Sequence, residues 1–313
     1  MLTYNAAAFV EEAIESVLAQ VTDFPVELVI GDDNSQDGTP DILRDYAARY
    51  PGGIRLHLHT VRGAGNPGLV NFKHNMASLR GRYVATLDGD DYWTDAHKLQ
   101  TQVDFLETHP AHSSCASDGT AVTPTTSYRR IRGFDEIIGK DITLDFYRAT
   151  GSTLMLHTSL LYRRDWVHPL PAWYDETMVG DLYINLCLLR RGPCRMLPGR
   201  FYAYRVHDEG YMARYMTKPR GLLNVYDDYV NMRRLLPWLD TSELLERRQA
   251  KRLRRVLSAS AQLREWDVFG AAAWRLVRDL RPIHLRFALG ALPRRLSGKP
   301  EPRPIDVYLE GQE

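Results

Sequence analysis

The 313-residue sequence predicts an α/β protein: a mostly parallel sheet with helices on both faces, followed by a helical C-terminal appendage. Three observations carry this expectation. Short apolar runs at Val26–Ile30, Ile54–His59 and Tyr83–Leu87 alternate with amphipathic helical segments, which is the spacing of parallel βαβ units. Polar, acidic stretches follow the first and third runs, at the strand ends where open α/β sheets bind ligands. From about Lys218 the texture changes to a helical series that continues, with breaks, to Leu296.

Taken in order, Met1–Tyr4 reads as the end of a strand, and Asn5 as the cap of a helix over Ala6–Gln20. A strand of this kind sits centrally in a parallel sheet, buried on both faces. The expectation is therefore that the natural protein begins upstream of Met1. After the strand Val26–Ile30, Asp32–Thr39 is a polar loop, with Thr39 as the cap and Pro40 as the first residue of a second helix. The strand Ile54–His59, a Gly/Asn/Pro loop at 63–68 and a helix near Leu69–Leu79 lead to the strand Tyr83–Leu87. Beyond it come a helix over Asp95–Thr108, a strand over His112–Ser117 and a polar, aromatic stretch at 119–150, expected to cross over a binding cleft. A strand at Leu154–Tyr162, a helix opened by Asp181 and closed by Gly192, and a strand at Arg200–His207 complete the main body.

Composition narrows the classes. Forty Lys and Arg against 39 Asp and Glu leave a formal net charge of +1, so nothing global points to nucleic acid. The three cysteines Cys115, Cys187 and Cys194 fit neither a disulfide framework nor a zinc site and suit a reducing, cytoplasmic setting. No apolar run is long enough to span a bilayer. Pro282–Leu296 is short, apolar and basic; it either packs on the main domain or gives a peripheral contact with the inner membrane surface, where Arg286, Arg294 and Arg295 would meet anionic lipid.

The most informative stretch is Leu87-Asp88-Gly89-Asp90-Asp91. Three carboxylates within four positions repel one another unless a cation is present. Mg²⁺ or Mn²⁺ takes oxygen ligands, typically one or two carboxylates plus substrate phosphates. An acidic turn capping the next helix is the plainer alternative.

Other segments join it. Leu2-Thr3-Tyr4-Asn5, Asp32-Asp33-Asn34-Ser35 with Asp37-Gly38-Thr39, Gly180-Asp181 and Tyr204-Arg205-Val206-His207 occur, with the acidic stretch, in the order seen in family 2 glycosyltransferases. Asp91-Tyr92-Trp93-Thr94-Asp95 with Lys98-Leu99-Gln100 resembles bacterial members. The resemblance covers roughly residues 1–210 and implies the GT-A fold. It also implies an inverting, Mg²⁺- or Mn²⁺-dependent transfer of a sugar from a nucleoside diphosphate, usually UDP, to a glycan or lipid-linked acceptor, in surface-polysaccharide synthesis.

Residue roles follow from that resemblance. Thr3 and Tyr4 would meet the nucleotide, Asp33 (or Asp32) its base or ribose, and Asp88 the ribose or metal-bound water. Asp90 would bind the metal, with His207 joining it, and Asp181 would be the general base. Lys73 and Arg205 are phosphate partners; Arg129 and Arg130 read as surface cations. Trp173 is the better acceptor-side aromatic, and Trp93 either stacks on sugar or packs beneath the metal loop. Many relatives carry Glu-Asp where this chain has Gly180-Asp181, and the loop after His207 also departs from the family pattern. The expected organisation is a catalytic domain at 1–215, with halves at 1–118 and 119–215, a helical region at 216–296 and a loose tail at 297–313. The rivals are a non-catalytic sugar-nucleotide-binding subunit and a nucleotidyltransferase, although the latter's Gly-rich, basic amino-terminal signature is missing.

Overall fold

The computed structural model describes residues 1–62, 68–131, 134–208, 210, 218–239 and 243–278. The chain divides into two units, residues 1–147 with 152–206, and residues 148–151 with 207–313.

The first unit is built on β1 (Leu2–Thr3), β2 (Leu28–Asp32) and β3 (Ile54–Leu58), parallel and in the order β1-β2-β3. A mixed sheet follows from β4 (Tyr83–Ala85), β5 (Tyr92–Trp93), β6 (Ser114–Val122), β7 (Ser127–Arg129), β8 (Asp141–Ile142), β9 (Leu161–Arg163) and β10 (Cys194–Arg205). Its strands run β4-β9-β6-β10-β5, with β7 on β6 and β8 on β10. A parallel bridge between Leu2 and Asp88 joins the two sheets, with Leu2 N donating to Leu87 O at 3.2 Å and Gly89 N to Leu2 O at 2.7 Å. β1 therefore lies between β2 and the chain leaving β4. The carboxyl ends of β1, β2 and β4 meet on one edge, which brings the first two polar loops and the acidic stretch together.

Helices α1 (Val10–Leu18), α2 (Thr39–Arg49), α3 (Leu69–Ser78) and α4 (Lys98–Thr108) belong to this unit, as does α6 (Gly180–Arg191); α5 spans Leu144–Thr150. The core joins Val10, Ile14 and Val17 of α1 to Leu43 and Tyr46 of α2, Ile30 of β2, Leu106 of α4 and Tyr202 of β10. Each such aliphatic side chain stabilises the fold by roughly 1.5–3 kcal/mol on full burial. A cavity of about 830 Å³ lies among Met1, Leu28, Met76, Tyr83 and Val84. None of Asp33, Asp88, Asp90 or Asp181 lines it, although Phe72 and His157 do.

Several expected boundaries move, for physical reasons. Asn5 does not cap α1. Its φ is +48°, its Oδ1 accepts from Gln36 N at 2.8 Å, and the helix starts at Val10. The amides of Asn5, Ala6 and Ala7 instead donate to Ser35 Oγ, Thr39 Oγ1 and Asp37 Oδ2, so loop-to-loop bonds replace a helical first turn. Thr39 is the first residue of α2 rather than its cap. The stretch at 119–150 is not a free excursion: it carries the rest of β6, β7 and β8. The run Leu154–Tyr162 yields a strand only at its end, after a 3₁₀ turn at His157–Ser159.

The second unit contains α7 (Pro219–Leu235), α8 (Glu243–Gln262) and α9 (Trp266–Arg278), packed through Leu223, Tyr226, Leu253, Val256, Val268 and Ala272. Arg275 of α9 grips Asp227 of α7 with two bonds, of 2.5 and 2.6 Å. Among the described residues no helix is long and apolar enough to cross a membrane. Pro282–Leu296 and the tail lie outside the described residues.

Candidate active site

The loop after β2 is fixed by its own carboxylates. Asp32 is 1 % exposed and accepts from Ser35 N at 2.8 Å, Ser35 Oγ at 2.5 Å and Thr3 Oγ1 at 2.9 Å. Thr3 is buried and its hydroxyl faces Asp32 and Gly31 O, so it orders this loop. Asp33 is 2 % exposed; its Oδ2 accepts from Arg62 Nε at 3.2 Å and from Gly68 N at 3.1 Å. Its Oδ1 is buried with no hydrogen-bond partner among the described residues. An orphaned carboxylate oxygen in a folded interior carries a desolvation cost that a ligand donor would relieve. Arg62 also lies 3.5 Å from the centroid of the Tyr4 ring. Tyr4, Arg62 and Asp33 thus form one flat aromatic and hydrogen-bonding corner. The sequence reading missed Arg62, for which position at the end of β3 was the signal.

Across β1 stands the acidic loop. Gly89 is required there: a Cβ would come 2.5 Å from Thr3 Cγ2 and 3.2 Å from Leu2 O. Asp91 is 1 % exposed and is not a helix cap. It accepts from Thr158 Oγ1 at 2.7 Å and from Arg205 N at 2.9 Å. Burial, then the charges of Asp90 and Asp88, push its carboxyl pKa up, while those two hydrogen bonds oppose the rise. The Arg205 guanidinium donates to Asp90 O at 2.8 Å, pairs with Glu12 and lies 4.5 Å from the Tyr92 ring centroid, so it braces the loop. Trp93 packs beneath, its Nε1 donating to Thr158 O at 3.2 Å. Asp88 keeps 40 % of its side chain exposed, and burial of the remainder with the charges of Asp90 and Asp181 raises its pKa to about 7, against the pull of the Met1 ammonium. Like charges are crowded here, and the loop is braced so that they stay crowded.

His157, unflagged in the sequence, has Nε2 3.8 Å from Asp88 Oδ1. Burial lowers its pKa to about 4 against the opposing charge of Asp181, so the imidazole is neutral at pH 7. A His-Thr-Ser interruption in an apolar run was the available signal.

Asp181 occupies the first turn of α6, after Val179 at the cap position. It is exposed, accepts from Leu182 N at 2.8 Å, and its charge is felt at both Asp88 and His157. At Gly180 a Cβ would meet the Tyr174 hydroxyl at 2.4 Å: the tyrosine fills the space that a side chain would need. Trp173 stacks near Tyr174 and Tyr183, with centroids 6.5 and 5.7 Å apart. Lys73 pairs with Asp175. Arg129 pairs with Asp118 and Asp135, and Arg130 lies over Tyr204. His207 falls in the second unit, two residues beyond Arg205.

Among the described residues no three His, Cys, Asp or Glu side chains gather to hold a metal ion by themselves. Two carboxylates completed by diphosphate oxygens remain a suitable donor set, and crowding at Asp88 is the strain that a divalent cation relieves. Asp88 and Asp90 fit such an ion.

A family model described as Glycosyl transferase family 2 matches residues 1–170. An uncharacterised protein of Mycobacterium tuberculosis is 34 % identical over 222 residues, covering 67 % of this chain and 58 % of its own length. The chain thus spans under two thirds of the first curated relatives it matches. A Bacillus subtilis glycosyltransferase named for teichuronic acid biosynthesis is 35 % identical over 125 residues, covering 38 % of this chain and 47 % of its own. Among solved structures, S. aureus TarS 1–349 in complex with UDP-GlcNAc has a TM-score of 0.56 at 18 % identity, over 96 % of this chain and 80 % of its own. A Pyrobaculum calidifontis mannosyltransferase in complex with GDP-Man and Mn²⁺ has a TM-score of 0.57 at 18 % identity, over 99 % and 77 %.

Proposed function

The chain belongs to glycosyl transferase family 2 and has the GT-A fold, and on that premise we propose an inverting, metal-dependent transfer of a sugar from a UDP-sugar to a hydroxyl of a glycan or lipid-linked acceptor. The observation that carries the reading is the meeting of Asp88, Asp90 and Asp181 in one electrostatic neighbourhood, beside the corner where Asp33 Oδ1 has no partner among the described residues.

Tyr4 offers its ring to the base, and Asp33 Oδ1 accepts from the base or ribose. Asp90, with Asp88 beside it, would hold a divalent ion, which when bound would neutralise charge on the departing diphosphate. Asp181 takes the proton of the acceptor hydroxyl. The freed oxygen attacks the anomeric carbon from the face opposite the diphosphate, and the bond to the β-phosphate oxygen breaks with its electron pair on UDP. One displacement inverts the anomeric centre. General base action of this kind contributes about 10²–10⁴-fold. Arg205 and Asp91 keep the acidic loop in place; Lys73 is assigned to the phosphate end and His207 to the metal from the family pattern alone.

The catalytic work is assigned to residues 1–215, with the helices between Pro219 and Arg278 as an accessory region. A TarS structure with UDP-GlcNAc and a mannosyltransferase structure with Mn²⁺ support the donor class and the ion. The relative named for teichuronic acid biosynthesis supports a role in polysaccharide synthesis. Calorimetry with UDP and Mn²⁺ tests the metal assignment: Asp90→Asn is expected to abolish the metal-dependent part of UDP affinity. Mn²⁺-dependent affinity unchanged in that variant would refute it.

A further inference from the structure

We infer that His157 binds the sugar of the donor, hydrogen-bonding a sugar hydroxyl between the diphosphate end at Asp88–Asp90 and the base at Asp181. This deepens the nucleotide-sugar reading and rests on it.

The turn that carries His157 is held from several elements. Leu160 N and the Thr86 hydroxyl donate to its carbonyl. Thr158 donates to Asp91 at 2.7 Å, Trp93 Nε1 to Thr158 O at 3.2 Å, and Gln102 Nε2 to Ser159 O at 2.9 Å. A group held this rigidly pays little entropy on binding.

Among the described residues the ring is not spent on a hydrogen bond. Its Nε2 is 3.8 Å from Asp88 Oδ1, beyond hydrogen-bond range, and 20 % of the side chain is exposed. Among the described residues it makes no three-residue metal set with its neighbours. An imidazole presents two ring nitrogens, and either can hydrogen-bond a hydroxyl.

Its surroundings extend the argument. The ring centroid of Phe72, which is half-buried, lies 6.5 Å from that of His157 and 5.7 Å from that of Tyr174. The Tyr174 hydroxyl in turn fills the space beside Gly180, next to Asp181. An aromatic row therefore runs from the Asp88 carboxylate to the residue beside the proposed base. Aromatic walls with a few fixed polar groups are the usual lining of a small-molecule site. A donor whose diphosphate lies at one end of this row and whose anomeric carbon faces the other has its sugar ring alongside it.

The test is calorimetry with Mn²⁺, using UDP alone and then UDP-glucose, UDP-galactose, UDP-N-acetylglucosamine and GDP-mannose. For the preferred sugar nucleotide, His157→Ala is expected to lose about tenfold in affinity while binding UDP within twofold of the parent. His157→Gln, which keeps a donor, is expected to recover part of the loss, and transfer assays are expected to show the change mainly in donor KM. Full sugar-dependent affinity in His157→Ala would overturn the inference. Equal loss of UDP and sugar-nucleotide binding would overturn it too, by making His157 structural. A parent protein that binds none of the nucleotides removes the donor site itself, and this inference with it.

Discussion

Gly180 shows how a single position reports on its neighbours. The family pattern leads one to expect Glu-Asp at 180 and 181, yet the Tyr174 hydroxyl and Cζ lie 2.4 and 3.0 Å from where a Cβ would be. Gly180→Ala is expected to destabilise the protein by about 1–3 kcal/mol through overpacking, and Tyr174→Phe to relieve part of that in a double-mutant cycle read by urea unfolding. Additive effects would mean that the two do not share the space. Thr158 is a second case. Thr158→Val leaves buried Asp91 short of a donor, and the expected cost is about 1–3 kcal/mol, measured the same way. At this scale the sequence was only partly legible. The carboxylates Asp33, Asp88, Asp90 and Asp181 stood out because their charges at strand and helix ends need an explanation. Arg62 and His157 did not, because what makes them notable is contact with Asp33, Tyr4 and Asp88, far away along the chain, and spacing carries no trace of that; Tyr174 did not, because its fit against Gly180 depends on how the turn between them folds. Thr3 and Arg205 were legible as part of the site, but their side chains face Asp32 and the acidic loop instead of open space.

Among the elements, α4 presents an unusual feature. Lys98, its first residue, is 0 % exposed; its Nζ donates to Gln102 Oε1 at 2.6 Å and sits 4.4 Å from the Trp93 ring centroid. Burial lowers its pKa to about 7, against an ordinary 10.5. Between those values the unfolded chain holds a proton that the folded one has released, so stability rises with pH across that window and is lost as pH falls toward 7. One such group adds at most ~1.4 kcal/mol per pH unit. Thermal unfolding of the parent is expected to shift upward between pH 7 and 9, and Lys98→Met to flatten that dependence; an identical slope in the variant would show that Lys98 stays protonated. Element boundaries were the weakest part of the sequence reading. Helix periodicity found α1, α2 and α4, but Asn5 and Thr39 were read as caps when their polar groups bind across to another loop. The run Leu154–Tyr162 looked uniformly strand-like, and the 3₁₀ turn inside it forms because His157 and Thr158 face the acidic loop, a tertiary cause.

For the molecule as a whole, alternation of strands and helices was enough to anticipate an α/β sheet, since parallel pairing requires crossovers of that length. The mixed half beyond β4 was harder to foresee, because β6 to β10 pair across long separations in sequence. What the architecture achieves is the meeting at one sheet edge of the Tyr4–Asp33 corner and a crowded pair of carboxylates, with Asp181 near enough for its charge to act on Asp88. The division of labour between them is the central claim. It is tested most directly by comparing Asp181→Asn with the parent for UDP and Mn²⁺ binding by calorimetry, and for sugar transfer or hydrolysis from the preferred nucleotide sugar. The account predicts turnover reduced by about 10²–10⁴-fold with nucleotide affinity within twofold of the parent; turnover at the parental rate would contradict it.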